Sequence, residues 1–88
     1  MKLIIAIIRD VDNDQVSHAL TAEDFRVTYV ASTGGFLRRG QSTLLIGVED
    51  DRLERALELI RSNCTPASDD DTRRSIIFVL KVDQFTHF

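Results

Sequence analysis

Three of the four glycines in this 88-residue chain fall within seven positions, in the stretch Thr33-Gly34-Gly35-Phe36-Leu37-Arg38-Arg39-Gly40-Gln41-Ser42. Glycine admits positive φ and lets backbone N–H groups approach a ligand closely, which suits phosphate oxygens. Phe36 and Leu37 are costly to expose, and a phenylalanine held at a pocket edge offers its π-face to a nucleobase, a contact worth about 1–3 kcal/mol in single-strand binders. Gln41 carries the paired donor and acceptor that suit an adenine edge. The competing reading is a hairpin loop whose glycines serve the turns while Phe36 packs into the core. No Walker lysine follows the glycines and no GxGxxG follows the first apolar segment, so a general nucleotide fingerprint is missing.

Other reactive side chains form no constellation. Asp69-Asp70-Asp71 lacks the alternating ligands and closing glutamate of a calcium loop and reads as a solvated loop. One cysteine, Cys64, and two histidines, His18 and His87, give no zinc-ligand spacing and no intramolecular disulfide. Cys64 reads as an ordinary residue at a helix end. Arg73-Arg74 read as solvated residues at a strand start, with an anion site as the alternative. Nothing in the order of Ser, His and Asp suggests an activated nucleophile, so the expectation is a protein that is not an enzyme and holds no metal.

Composition sets the frame for these residues. With 43% apolar and 28% charged residues, the chain reads as one domain over residues 1–88. A chain of this size buries only about 60–65% of its unfolded surface, which leaves a thin core that an oligomer would supplement. Eleven basic against fourteen acidic residues, a net charge of −3, argue against broad binding to nucleic acid or anionic membrane. The halves differ: residues 1–44 hold five bases and five acids, residues 45–88 six and nine. The apolar run at 3–8 is far shorter than the roughly 20 residues of a membrane span and too close to Met1 for a signal peptide, so the location expected is cytoplasmic.

Hydrophobic periodicity predicts the elements that must position the loop. KLIIAIIRD is a strand with apolar residues on both faces. A helix follows to about Ala22, with Asp12 as cap, Gln15 completing a capping box, Val11 and Val16 as a hydrophobic staple, and Val16, Ala19 and Leu20 as its apolar stripe. FRVTYVAST alternates with period two, so Phe25, Val27 and Tyr29 share one face and Arg26, Thr28 and Val30 the other. STLLIGV is a third strand containing Gly47. EDDRLERALELIRSN is the clearest helix, with Asp50 or Asp51 capping, Glu54 boxing with Asp51, and Leu53, Ala56, Leu57 and Ile60 facing inward. Asp51 with Arg55 and Glu58 with Arg61 are expected exposed pairs. A polar loop over residues 64–71 leads to the last strand, SIIFVLKVDQF.

The order βαββαβ predicts an α+β, ferredoxin-like domain, an antiparallel sheet with both helices on one face. Residues 3–8, 44–46 and 76–80 are apolar at successive positions, so the other sheet face is apolar too and is expected to be buried by another subunit. A monomer that tolerates some exposed apolar surface is the bland alternative.

Read as strings, KLIIAIIRD, FRVTYVASTGGFLRRGQSTLLIGVED and IIFVLKVDQFTHF resemble the PII-like cyclic-di-AMP receptor family, small signal-transduction proteins of Gram-positive and related bacteria. The resemblance covers nearly the whole chain except residues 64–75, and its most specific part is FRVT, STGGFLR and LLIGVED. It implies a cytoplasmic homotrimer that binds one cyclic-di-AMP at each subunit interface and signals to a downstream protein, without a cofactor. Family ligand-contacting positions that match are Arg26, Thr28, Gly35, Phe36, Leu37, Gly47 and Phe78. Three departures stand out. Gln41 occupies a position where the family usually has asparagine, which lengthens the amide by one methylene. Asp24 and His87 stand where members commonly have asparagine and glutamine, and a carboxylate at Asp24 weakens a dianionic ligand. The long loop ahead of the last strand is cut to roughly ten residues, with Arg73-Arg74 in place of a glycine pair. A trimeric interaction or assembly module that has lost nucleotide binding is therefore the alternative; an RNA-binding domain of the same topology ranks below it, because the strands lack the aromatic-basic motif.

Overall fold

A computed structural model describes residues 1–32, 40–64 and 75–83 of the chain. Gly35, Phe36, Leu37, His87, the 69–71 acidic run and Arg73-Arg74 lie outside the described residues. Four strands and two helices follow the predicted order: β1 (Lys2–Arg9), α1 (Asn13–Ala22), β2 (Arg26–Ser32), β3 (Gln41–Val48), α2 (Leu53–Asn63) and β4 (Ile76–Lys81). They form one sheet in the order β2-β3-β1-β4, with every neighbouring pair antiparallel. This is the ferredoxin-like arrangement, in which each helix carries the chain past one intervening strand.

Period-two alternation decides which face meets the helices. Ile4, Ala6 and Ile8 of β1 and Leu44 and Ile46 of β3 have no exposed surface, and they pack with Val16 and Leu20 of α1 and Ala56 and Ile60 of α2. Each isoleucine or leucine fully buried there contributes roughly 1.5–3 kcal/mol. Leu53 and Leu57 of the predicted α2 stripe, with Ala19 of α1, pack only partly against this core, and Leu59 joins it instead.

Both helix starts depart from the expected capping boxes. Each helix is entered through a short 3-10 turn, Asp10–Asp12 and Asp50–Arg52, and neither helix shows a side-chain cap hydrogen bond. The turn draws Asp12 inward until 3% of it is exposed, with its carboxylate 3.8 Å from Arg9 Nε, and turns Val11 out to 55% exposure, so Val11 and Val16 form no staple. Gln15 points instead to α2, where its Nε2 donates to Asn63 Oδ1 at 3.4 Å.

The end of α1 is a Schellman motif built on an aspartate. Asp24 sits at φ 67°, the Asp24 N–H donates to Thr21 O at 3.0 Å, and the Phe25 N–H donates to Leu20 O at 3.0 Å. Phe25 and Leu20, the pair that closes such a cap by apolar contact, are both buried. The ending aims the chain directly into β2 at Arg26.

Across the helix layer, Arg55 grips Glu23 through two bonds, Nε to Oε1 at 2.9 Å and Nη2 to Oε2 at 2.5 Å, and also meets Glu58 at 3.3 Å. These pairs replace the expected Asp51–Arg55 contact, because the 3-10 turn moves Asp51 out of step with α2. The hydrogen bond from Arg55 holds the Glu23 carboxyl below its ordinary value, against a smaller opposing effect of burial. A carboxylate with a lowered folded-state pKa contributes stability above its unfolded pKa, and that contribution is lost as pH falls through the folded value. The urea midpoint of Glu23→Gln should therefore lie slightly below wild type at pH 7, and the gap should close on acidification; a gap independent of pH would contradict the assignment.

Candidate functional site

The helix-free face of the sheet collects the candidate residues. On β3, Ser42, Leu44, Ile46 and Val48 are buried against the helices, which leaves Gln41, Thr43, Leu45 and Gly47 on the opposite face. Registers across the sheet then define rows. Arg26 pairs with Gly47, Gly47 with Leu3 and Leu3 with Leu80. One step along, Thr28 pairs with Leu45, Leu45 with Ile5 and Ile5 with Phe78. Gln41 stands at the end of this face, opposite Arg9.

Arg26, Thr28, Gln41, Gly47 and Phe78 thus share one face, but not one point on it. Thr28 and Phe78 lie in the same row on the two edge strands, three inter-strand steps or roughly 14 Å apart. Between them runs an apolar floor of Leu45 and Ile5, half-buried within the subunit. At the β4 edge Ile76, Phe78 and Leu80 are 48%, 51% and 47% exposed, a strip that no element among the described residues covers. The period-two reading of β2 holds as far as Tyr29. A bulge between Tyr29 and Ala31 then puts Ala31, not Val30, opposite Thr43, and strict alternation ends there.

Beside Arg26 the surface sinks into a shallow hollow of about 160 Å³ whose lining includes Asp24, Arg26, Gly47, Glu49 and Arg52. A Cβ at Gly47 would come within 3.1 Å of the Cε of Met1, whose flexible side chain also lines the hollow. Arg52 is engaged within the subunit: its guanidinium lies 4.0 Å over the Phe25 ring and its Nη2 donates to Glu23 O at 3.0 Å. Arg26 is exposed on the sheet face, with Asp24 as an opposing charge in the same hollow.

At the other end of β1 lies a buried polar pair that sequence reasoning missed. Asp10 and Ser42 are 3% and 1% exposed, and the Ser42 hydroxyl donates to Asp10 Oδ1 at 2.5 Å. The two are 32 positions apart and each looks, locally, like a polar residue bounding a strand, so no short-range pattern announces them. Cys64 follows α2 as expected, its Sγ 3.2 Å from Ser75 Oγ. Burial pushes its thiol pKa up, which disfavours the reactive thiolate. Among the described residues no His, Cys, Asp and Glu group is arranged to hold a metal ion, and no helix is long and apolar enough to cross a membrane.

The sequence model of the cyclic-di-AMP receptor family matches residues 1–71, which take in β1 through α2 and the entire Thr33–Ser42 stretch. The chain belongs to the cyclic-di-AMP receptor family. That family is one of receptors for a cyclic dinucleotide, not of enzymes. Among solved structures, this receptor-family chain is similar to the crystal structure of a functionally unknown protein from Pediococcus pentosaceus ATCC 25745, with a TM-score of 0.79 and 34% identity over 99% of this chain and 96% of that one. The family match stops ahead of β4, so Phe78 lies beyond it, whereas the structural similarity extends over nearly the whole chain.

Proposed function

We propose that residues 1–88 form a single-domain, non-enzymatic signal receptor that binds cyclic-di-AMP, or a related adenine nucleotide, at the subunit interfaces of a cytoplasmic bacterial homotrimer. The observation that carries this reading is the placement of Arg26, Thr28, Gln41, Gly47 and Phe78 on one open sheet face of a cyclic-di-AMP receptor family member. Thr28 and Phe78 sit on opposite edges of that face, so a ligand in contact with both kinds of residue is best served when the β2 edge of one subunit meets the β4 edge of the next. A head-to-tail contact of this kind closes into a three-membered ring when each step turns by one third of a revolution, and the exposed strip of Ile76, Phe78 and Leu80 is the apolar surface such a ring would bury.

Each proposed ligand contact follows from side-chain chemistry. Arg26 offers a guanidinium to a phosphate, Thr28 a hydroxyl, and Phe78 a π-face. Gln41 presents its amide to an adenine edge, and Gly47 leaves room beside Arg26. Gly35, Phe36 and Leu37 complete the set, in the glycine-rich stretch between β2 and β3. Occupancy of the site would bias the conformations a downstream protein meets, by as much as the ligand's affinity differs between them.

Isothermal titration of the assembled protein with cyclic-di-AMP, cyclic-di-GMP and ATP tests the reading. Saturable heat with cyclic-di-AMP, stronger than with the other two, is expected; no heat with any of them at high micromolar concentration sinks ligand sensing. The second reading, a trimeric interaction module without a nucleotide, draws on the carboxylate of Asp24 in the Arg26 hollow. An intact trimer that binds none of the three would favour it.

Asp24→Asn separates the two further. Asparagine suits φ 67° at least as well as aspartate and removes a negative charge from the hollow. Affinity for cyclic-di-AMP should rise several-fold, consistent with a repulsion of about 1 kcal/mol, that of two unit charges about 4 Å apart in bulk water, with thermal stability unchanged or higher. Unchanged affinity would place the phosphates away from Asp24.

A further inference from the structure

Both sequence neighbours of Gln41, Gly40 and Ser42, are bonded to one residue just past the end of β1, Asp10. The Asp10 backbone N–H donates to Gly40 O at 3.0 Å, and the Asp10 carboxylate accepts from the Ser42 hydroxyl. Asp10 opens the 3-10 turn that follows β1, so its backbone is leaving the sheet just where β3 begins, with Arg9 paired to Gln41 in the last rung between the two strands. Three rungs lie beyond the last wholly apolar pair, Ala6 with Leu44; such a strand end is where pairing frays or slips, and a slip of one residue exchanges the two faces. Ser42 projects to the helix side, so a hydrogen bond that keeps Ser42 inward keeps Gln41 on the open face. The pair is almost wholly desolvated, which makes it an expensive contact to lose and a stiff one to keep.

We propose that Asp10 and Ser42 are positioning residues for nucleotide recognition: together they lock the register at the start of β3 and present the Gln41 amide to the adenine edge. This rests on the nucleotide reading above and adds to it a buried support on the face away from the ligand. Neither residue touches the nucleotide; both act through Gln41. Gln41 is a long and adaptable amide, and its value as a reader depends on a backbone that does not shift beneath it.

A double-mutant cycle on the full chain tests the proposal. Gln41→Ala should lower affinity for cyclic-di-AMP by about ten-fold, as expected for loss of a paired amide contact to a base edge. Ser42→Ala should lower it several-fold. The double variant should bind no more weakly than Gln41→Ala alone, because Ser42 has no role once the amide is gone. Asp10→Asn, whose side-chain oxygen still accepts from Ser42, should retain more affinity than Asp10→Ala at matched thermal stability. In the ligand-free protein, Ser42→Ala should displace the Gln41 backbone and side-chain amide resonances while leaving that of Ile4, in mid-sheet, in place. Additive losses in the cycle, or unmoved Gln41 resonances, would overturn the positioning role while leaving nucleotide binding intact. Absence of heat from the wild-type protein overturns the nucleotide reading and with it the task assigned to Gln41, so the two failures are told apart.

Discussion

Leu45→Glu protein is expected to run as a monomer of folded subunits. Leu45 lies at the centre of the open sheet face, between Thr28 on one side and Ile5 on the other, and its neighbours on β3 that face the helices, Leu44 and Ile46, are fully buried in a separate layer. Glutamate at this position can stay hydrated on a free subunit, so the helix-side core and the far-ultraviolet circular dichroism should be preserved. In the proposed trimer the same carboxylate would be desolvated among apolar side chains, at an effective cost of several kcal/mol for each subunit. Light scattering should report a mass that falls to one third, and nucleotide binding should disappear with it, since the proposed site draws on two subunits. An unchanged mass would show that the open face is not the assembly surface.

Arg26→Ala should produce the largest loss of affinity among substitutions that leave assembly intact. Arg26 is exposed at the hollow beside Gly47, whereas its neighbour Arg52 is tied to Phe25 and Glu23. A hydrogen bond between a guanidinium and a phosphate is worth about 1.5–3 kcal/mol, so truncation should weaken cyclic-di-AMP binding roughly 10- to 100-fold. The residual affinity should also depend less steeply on salt, because a charge has been removed from the contact. Equal affinity of wild type and variant in titrations at two ionic strengths would remove Arg26 from the phosphate site. Arg26→Lys is the sharper comparison: it keeps the charge and loses the planar fork, so an intermediate loss marks a bidentate contact and full retention a simple electrostatic one.

The sequence and the structure differ in an instructive way. Alternation in FRVT placed Arg26 and Thr28 on one face correctly, because two residues of a strand share a face whatever the strand is paired with. The same alternation failed at Val30, where a bulge inserts one residue and restores Ala31 to the rung opposite Thr43. The helices were legible from their apolar stripes. Their starts were not: Asp12 and Asp51 have the composition of N-caps, but 3-10 turns precede both helices and give the buried Asp12 a half-buried partner in Arg9 instead.

Spacing along the chain was sufficient for whatever depends on near neighbours. The two helices, the four strands, the apolar character of both sheet faces and the shared orientation of Arg26 and Thr28 all follow from periods of 3.6 and 2. Only tertiary pairing could decide which strands are edges, and that decision puts Thr28 and Phe78 at opposite ends of one row, where residues of two subunits can share a ligand. It also brought Asp10 to Ser42 across 32 positions. Neither residue carries a local mark of the contact, because a buried hydrogen bond between strands is set by register, and register is a property of the folded sheet.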